Sequence, residues 1–426
     1  MTTTASARPP SGSQTFRALR HRNARVYFAG LAVSNVGTWL QMTAMALLVY
    51  NLTGKATDLG ITVALQFLPV LLFGAWGGAI ADRRDKRTMA IALNIALAAQ
   101  ALVLGLVDLA GLATVPIVWL LTIVLGVLNA FESSPRRGLV TELVEPHDIS
   151  NATSLNTAVM TGSRIFGPAL AALLVATVGT SWCFLLNAAS FVAVLVSLFA
   201  IRPAELHPPP LLARGGRPVR EALGFVRHNE QLLLTFIVMV VVSTFAFNYP
   251  VALPELADEN WGGEGRFGLV LAMGGVGSLI GALLMARLAV ITMNRYLVST
   301  AILGFGGLGL AWAPNLPMAL LWAIPMGLGG GGFISGGNGI AQQLSPPDMR
   351  GRLLALTTVA FLGSTPIGGP ITGVIGDSAG AEWGLGYGSI ATLLTAAVAT
   401  VVTVRGRARH GHRSPRSEPA EPVPGR

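Results

Sequence analysis

Long apolar runs, separated by short connections that carry most of the charge, dominate this sequence. Residues 56–81 form one such run and residues 89–109 form the next, whereas every residue at positions 82–87 is charged. An apolar run of about 20 residues is long enough to cross a bilayer as a helix, and so dense a cluster of charges cannot lie in hydrocarbon. The pattern therefore predicts membrane-spanning helices joined by tight loops at the membrane faces.

The composition agrees with this interpretation, because only 12% of the residues are charged and the mean hydropathy is +0.61. A soluble globular domain is about a quarter charged. We therefore predict an all-α polytopic membrane protein with twelve transmembrane helices. They are expected near residues 26–50, 57–81, 88–109, 115–134, 152–177, 181–201, 231–254, 267–290, 296–313, 316–342, 353–376 and 384–404.

The basic residues predict how these helices are oriented. All but three of the 29 lysines and arginines fall in the N-terminal arm, in alternate loops or in the C-terminal tail; the exceptions are Lys55, Arg164 and Arg266. Loops rich in lysine and arginine stay on the cytoplasmic side, so both termini are expected there. This placement also accounts for the net charge of +9 without a nucleic-acid partner.

Repeated spacings predict two pseudo-symmetric six-helix halves. Gly74-x-x-x-Gly78 recurs as Gly277-x-x-x-Gly281, and other pairs recur at nearly the same offset. Secondary transporters are built from such duplicated halves, with the substrate site between them. The expected organisation is a disordered cytoplasmic arm at residues 1–20, helical bundles at 21–201 and 231–404, a cytoplasmic loop at 202–230, and a disordered basic tail at 405–426.

Two motifs resemble those of the major facilitator superfamily. The charged loop resembles the one between the second and third helices of that superfamily, although Asp85 stands where glycine is usual; its motif residues are Gly78, Asp82, Arg83, Lys86 and Arg87. A second motif, Gly162, Gly167 and Pro168, resembles one found in exporters, but ends in alanine rather than a glycine pair. The stretch at residues 129–144 is similar to the enterobactin-exporter-like, transmembrane secretion effector branch.

The resemblance extends from about residue 23 to residue 404 and implies the major facilitator fold in the cell membrane. It implies efflux of drug-, siderophore- or secondary-metabolite-like molecules by alternating access, with protons as the coupling ion. The first predicted span contains no carboxylate, which keeps open an importer or uniporter of a small solute. A transport-inactive receptor or scaffold is a third alternative.

A latch is expected at the cytoplasmic end of the second helix, where Asp82 lies. The eleventh helix begins near Gly351, and its unpaired N–H groups carry roughly half a positive charge. A carboxylate facing that tip would stabilise the inside-closed state by ~1–2 kcal/mol. Arg83 and Arg136 are candidates to hold Asp82, the second because relatives use an arginine on the fourth helix. A solvated charge cluster is the alternative.

Two charges are predicted inside the membrane. Arg164 lies about 18 Å from the start of its helix, near the middle of a ~30 Å hydrocarbon core. It is a counter-charge for an anionic substrate, a partner of Glu132, or a clamp on carbonyl groups beside Gly167 and Pro168. Glu132 is our first candidate for a proton carrier, because burial favours the neutral form of a carboxyl group.

The remaining candidates are polar or aromatic side chains that either line a central cavity or form hydrogen bonds between helices. They are Asn35, Thr38, Gln41, Gln66, Phe245, Asn248, Tyr249 and Asn338. No nucleotide-hydrolysis, zinc-binding or nucleophile motif is present in the sequence, so we expect neither an enzyme nor a metal or cofactor. The expected partners are a small-molecule substrate, protons and the lipid bilayer, with the protein acting as a monomer.

Overall fold

The computed structural model describes residues 16–81, 84–207, 218–346 and 349–411. Within these ranges the chain forms fifteen α-helices, joined by short connections and 3-10 turns. They are α1 (Arg22–Thr53), α2 (Ala56–Ala81), α3 (Lys86–Leu109), α4 (Val115–Glu142), α5 (Ile149–Thr177), α6 (Thr180–Ala200), α7 (Pro218–His228), α8 (Glu230–Ala246), α9 (Tyr249–Asn260), α10 (Phe267–Ala286), α11 (Met293–Ala311), α12 (Leu316–Leu344), α13 (Arg350–Leu362), α14 (Thr365–Ala379) and α15 (Ala381–Gly411).

Eleven helical segments of the described chain are long and apolar enough to cross a membrane, with α8–α9 and α13–α14 each counted as one segment. Their outer faces expose large apolar side chains, such as Leu120, Val196 and Leu394, each more than 60% exposed. Such a surface is favourable only in lipid, so the prediction of an all-helical polytopic membrane protein is confirmed. Helix α11 is not among the eleven segments; its first turn contains Asn294 and Arg295.

Two predicted runs differ from the structure because each is broken into two helices. The run at 231–254 is interrupted at Phe247 and Asn248, and the run at 353–376 is interrupted at Gly363 and Ser364. A proline lies in the first turn of the helix that follows each break. Proline has no N–H to donate and is tolerated in the first turn, where no intrahelical partner is needed.

Part of the predicted N-terminal arm is ordered. Arg17–Arg20 forms a 3-10 turn whose Ala18 is buried, and the Ala18 N–H donates to Asn151 Oδ1 at 2.8 Å. Arg17 and His21 both contact Asp148, the latter through Nε2 at 2.9 Å. These contacts fix the segment against the start of α5, whereas the sequence analysis assigned residues 1–20 to a disordered arm.

The predicted central loop and tail also contain helix. In the loop at 202–230, α7 buries Ala222 and Val226 against α8, α12 and α13. Arg352 of α13 donates to Glu221 of α7 at 2.6 Å. An amphipathic helix can form there because its apolar residues recur on one face. Helix α15 continues through Gly411, beyond the predicted boundary at Val404. The rest of the loop, 208–217, and the tail from 412 lie outside the described residues.

For description, we divide the helices in chain order into α1–α6, called here the N-terminal set, and α7–α15, the C-terminal set. The sets meet mainly where α2 packs against α14 and where α5 packs against α10. We call the end of the molecule that carries Lys55 the Lys55 end and the opposite end the Asp85 end. Glycines allow close backbone contact between the sets near the Lys55 end, where Gly60 meets Gly369, Gly373 meets Ala56 and Gly268 meets Pro168.

Candidate functional site

A polar cavity of about 110 Å³ lies inside the N-terminal set, enclosed by α1, α2, α3, α4 and α6. Six predicted site residues line it: Asn35, Thr38, Gln41, Gln66, Glu132 and Arg136. The predicted cavity lay between two halves of the molecule, whereas every residue that lines the observed cavity belongs to the N-terminal set. The polar face of α1 is turned toward α3 and α6 within its own set, which is why the cavity forms there.

Helix α4 supplies the charged part of the wall. Asn129, Glu132 and Arg136 lie about one turn apart and share a face of the helix. Glu132 is only 9% exposed, and its Oε1 lies 3.3 Å from Arg136 Nε in an ion pair without hydrogen-bond geometry. Arg136 therefore pairs with Glu132 here, and Glu132 does not pair with Arg164 as one of the sequence hypotheses proposed.

Buried amides join three helices at the deeper end of the cavity. Gln41 donates to Gln100 Oε1 at 3.2 Å and accepts from Asn187 Nδ2 at 2.6 Å, while Ser190 donates to Asn187 Oδ1 at 3.1 Å. Gln41 therefore fills both roles predicted for it, since it lines the cavity and forms hydrogen bonds between helices. Gln100 and Asn187 were not predicted, although a polar amide inside an apolar run is a signal for such a network.

Asn35 differs from its neighbours on α1 because its side-chain donor is unused. The residue is 9% exposed, and Nδ2 has no hydrogen-bond partner among the described residues. The hydroxyl of Thr38, by contrast, donates to the carbonyl of Ser34 at 3.0 Å. A buried donor without an acceptor costs ~1–3 kcal/mol, so Asn35 can bind a ligand acceptor that enters the cavity. Asn94 and Tyr27, which also line it, were not predicted.

Arg164 lies against an aromatic ring rather than a carboxylate. Its guanidinium carbon is 5.2 Å from the centroid of Trp39 on α1, and no ion pair joins Arg164 to another described residue. Gly167 permits this approach, because a methyl group there would overlap the Cβ of Trp39. The Pro168 carbonyl lies against Gly268 of α10, whereas Gly162 faces open space. Two of the three exporter-like motif residues thus lie at helix contacts.

The candidates on the C-terminal set do not line this cavity. Phe245 makes an edge contact with Tyr387 at 6.2 Å between ring centroids, and Tyr249 lies 6.3 Å from Phe247. Asn248 is 2% exposed and donates to the Thr244 carbonyl. Asn338 accepts from the Thr357 hydroxyl at 2.7 Å. The contacts of Phe245 and Asn338 join helices of the C-terminal set, whereas those of Asn248 and Tyr249 are local to the break between α8 and α9.

The charged loop at 82–87 is described only in part. Gly78 lies in α2, and Asp82 and Arg83 lie outside the described residues. Lys86 forms an ion pair with Glu142 at the end of α4, and Arg87 Nε donates to the Leu198 carbonyl of α6 at 2.8 Å. Lys86 and Arg87 therefore join the start of α3 to two helices of its own set.

Comparison with known proteins identifies the family. The profile of the transmembrane secretion effector family matches residues 13–423. The chain is 23% identical over 295 residues to the staphyloferrin A transporter of Staphylococcus aureus, covering 68% of this chain and 73% of that protein. It is 26% identical over 367 residues to the enterobactin exporter EntS of Shigella flexneri, covering 84% and 85%.

The fold is similar to a crystal structure of a bacterial homolog of the human lysosomal transporter Spinster in an inward-facing, occupied conformation. The TM-score is 0.69 at 14% identity, and the match covers 95% of this chain and 100% of that one. With the apolar outer surface and the family match, this likeness identifies a multi-pass membrane transporter rather than an enzyme. The chain belongs to the transmembrane secretion effector family of the major facilitator superfamily, in the bacterial cell membrane.

Proposed function

We propose that this transporter exports a siderophore-like or drug-like small molecule from the cell, in exchange for protons, by alternating access. The observation that carries the proposal is the polar cavity, which combines a buried Glu132–Arg136 ion pair with the unused donor of Asn35. The names of two relatives, a staphyloferrin A transporter and an enterobactin exporter, support a siderophore-like substrate. Buried amides and an arginine favour a substrate rich in carbonyl or carboxylate oxygens.

The proposed topology has twelve crossings, with α11 as the crossing absent from the eleven apolar segments. The N- and C-terminal sets are the two halves, the Asp85 end is cytoplasmic, and both termini lie on that side. The distribution of lysine and arginine supports this orientation. Because the sets are in close backbone contact near the Lys55 end, the conformation is then closed to the outside. The protein acts as a monomer.

Glu132 is the proposed proton carrier. When ionised, Glu132 pairs with Arg136, and its carboxylate also accepts from a donor group of the substrate; protonation removes the negative charge and releases the substrate. Proton and substrate thus compete for one carboxylate, as an antiporter requires. The cytoplasmic gate remains the proposed role of Asp82 and Arg83, with Asp82 facing the start of α13 when the inside is closed.

Dye accumulation in inside-out membrane vesicles, with and without a pH gradient, tests the proposal. Export carries the dye into the vesicle, and a lumen more acidic than the medium should drive it. Glu132→Gln should reduce gradient-driven accumulation at least tenfold, whereas Glu145→Gln, on an exposed connection, should not. Unchanged accumulation in Glu132→Gln would exclude Glu132 as the carrier. Transport without dependence on the gradient would favour a uniporter, and no transport by the wild type would favour a receptor.

A further inference from the structure

A carboxylate of the C-terminal set caps a helix of the N-terminal set. Asp377, near the end of α14, accepts from the Ala56 N–H through Oδ1 at 2.7 Å and from the Thr57 N–H through Oδ2 at 3.0 Å. These are the first two N–H groups of α2, which have no acceptor within their own helix. Both carboxylate oxygens are therefore used in one contact across the boundary between the sets.

The backbones of the same two helices touch beside this contact. A methyl group at Gly373 would overlap the Ala56 carbonyl oxygen, and one at Gly60 would overlap the Gly369 carbonyl. Glycine at these positions permits α2 and α14 to approach backbone to backbone. The Asp377 contact forms only when the helices are this close, so it reports closure of the Lys55 end.

We propose that Asp377 is the latch that holds the two sets together at the Lys55 end and that it releases when this end opens. The proposal rests on the alternating access described above. The positive end of the α2 dipole attracts the carboxylate, and separation of the sets would leave two N–H groups to water. The cytoplasmic latch expected from Asp82 would have the roles reversed, with a carboxylate that follows α2 facing the tip of α13.

This latch must be weak if the transporter is to cycle, and its surroundings make it so. Asp377 is exposed, so water competes for the carboxylate and solvates the N–H groups after release. Glu255 Oε2 lies beside Gly376, and its negative charge opposes that of Asp377. The latch therefore biases the equilibrium between conformations without locking it. Removal of the latch should change the ratio of open to closed conformations at the Lys55 end about threefold to tenfold, the usual range for loss of a helix cap.

Distances between spin labels across the Lys55 end test the latch. Leu112→Cys and Pro314→Cys place one label on each set at this end, in a Cys183→Ala background that removes the single native cysteine. Asp377→Ala should increase the population with a long inter-label distance about threefold to tenfold, and Asp377→Asn should increase it less. Asp108→Ala is the matched control, because Asp108 accepts from Thr180 and Ser181 within the N-terminal set.

Gly373→Ala provides a second route to the same result, since the added methyl group prevents the closest approach of α2 and α14. A wild-type distance distribution in Asp377→Ala, alongside a shift in Gly373→Ala, would overturn the latch. The same single inter-label distance in the wild type and in every variant would also overturn the latch, because the Lys55 end would then not open. Dye transport is measured separately. If the Asp377→Ala variant has the wild-type distance distribution but the protein still transports dye, the latch is excluded and the proposed function is not.

Discussion

An arginine within a membrane-spanning helix needs a partner, and the partner of the half-buried Arg164 is the face of Trp39. If the ring stabilises the cation, Trp39→Leu should lower the free energy of unfolding by about 1 kcal/mol more than it does in an Arg164→Met background. Trp39→Phe should lower it less, because an aromatic face remains. Thermal unfolding of the purified protein in detergent measures this double-mutant cycle. If Trp39→Leu lowered the free energy of unfolding equally in the wild-type and Arg164→Met backgrounds, the interaction would be contradicted.

At this scale, the sequence predicted several residues that line the cavity but not the partners that they contact. Glu132 and Arg136 were both identified, but the fourth predicted span ended at 134, which assigned Arg136 to a loop. The structure continues α4 to Glu142, and the two residues then lie four apart on one helix face. Trp39 could not be predicted as the partner of Arg164, because their contact depends on how closely α1 and α5 pack.

A single side chain determines where helix α3 begins. Asp85 Oδ2 accepts from the Thr88 N–H at 2.6 Å and caps the helix, at the position where the superfamily motif usually has glycine. Partial burial alone would raise the pKa of Asp85, but hydrogen bonds from Thr88 and the positive charge of Arg87 outweigh burial and lower it. Asp85→Ala should therefore destabilise the first turn of α3 by about 1 kcal/mol at neutral pH.

The lowered pKa gives this cap a defined pH dependence. The stabilisation from ionised Asp85 is complete above its unfolded pKa of about 4 and is lost as the pH falls through the lower folded pKa. Hydrogen exchange of the Thr88 and Met89 amides measures the local opening. The difference between wild type and Asp85→Ala should shrink on acidification, whereas Asp85→Asn, which caps without titrating, should show a constant difference from Asp85→Ala. If the difference in hydrogen exchange between the wild type and Asp85→Ala did not depend on pH, the assignment of Asp85 as a titrating helix cap would be contradicted.

The spacing Gly-x-x-x-Gly lets two helices approach closely, and among the described residues it does so at one of the two occurrences in α2 and α10. Gly277 and Gly281 pack α10 against α12, but Gly74 faces open space, and the neighbouring Gly77 contacts α4 instead. The spacing identifies helices that can approach closely, but the direction each glycine faces depends on how the helix is rotated in the fold. Sequence alone therefore could not distinguish the two occurrences.

The glycines of α10 and α5 should respond differently to the same substitution. A methyl group at Gly281 would overlap the Leu328 carbonyl, so Gly281→Ala should destabilise the protein by about 1–3 kcal/mol. Gly162 has no neighbour within 4 Å, and Gly162→Ala should be neutral or stabilise α5 by up to ~1 kcal/mol. Melting temperatures in detergent compare the two variants. Equal destabilisation by both would show that contact with α12 is not the cause.

Across the whole molecule, the all-helical membrane class followed from apolar run length, whereas the exact number of crossings, the helix breaks, α7 and the docked residues 16–20 did not. Run length reports only the cost of placing a segment in lipid, and the segment broken at 247–248 is still apolar enough on average to cross a membrane. The cavity position was also beyond prediction, because it depends on the face that α1 turns toward α3 and α6. Polar residues within an apolar run indicate that a buried network exists without indicating which set encloses it.

Orientation is the property of the whole molecule on which both proposed latches depend, and cysteine labelling can measure it. Lys55 and Arg202 are exposed at opposite ends of the fold, and the native Cys183 is buried. In a Cys183→Ala background, a membrane-impermeant maleimide should label Lys55→Cys in right-side-out vesicles and Arg202→Cys in inside-out vesicles. Detergent should expose both positions. The reverse pattern would place the Asp85 end outside, and Asp377 would then close the cytoplasmic side.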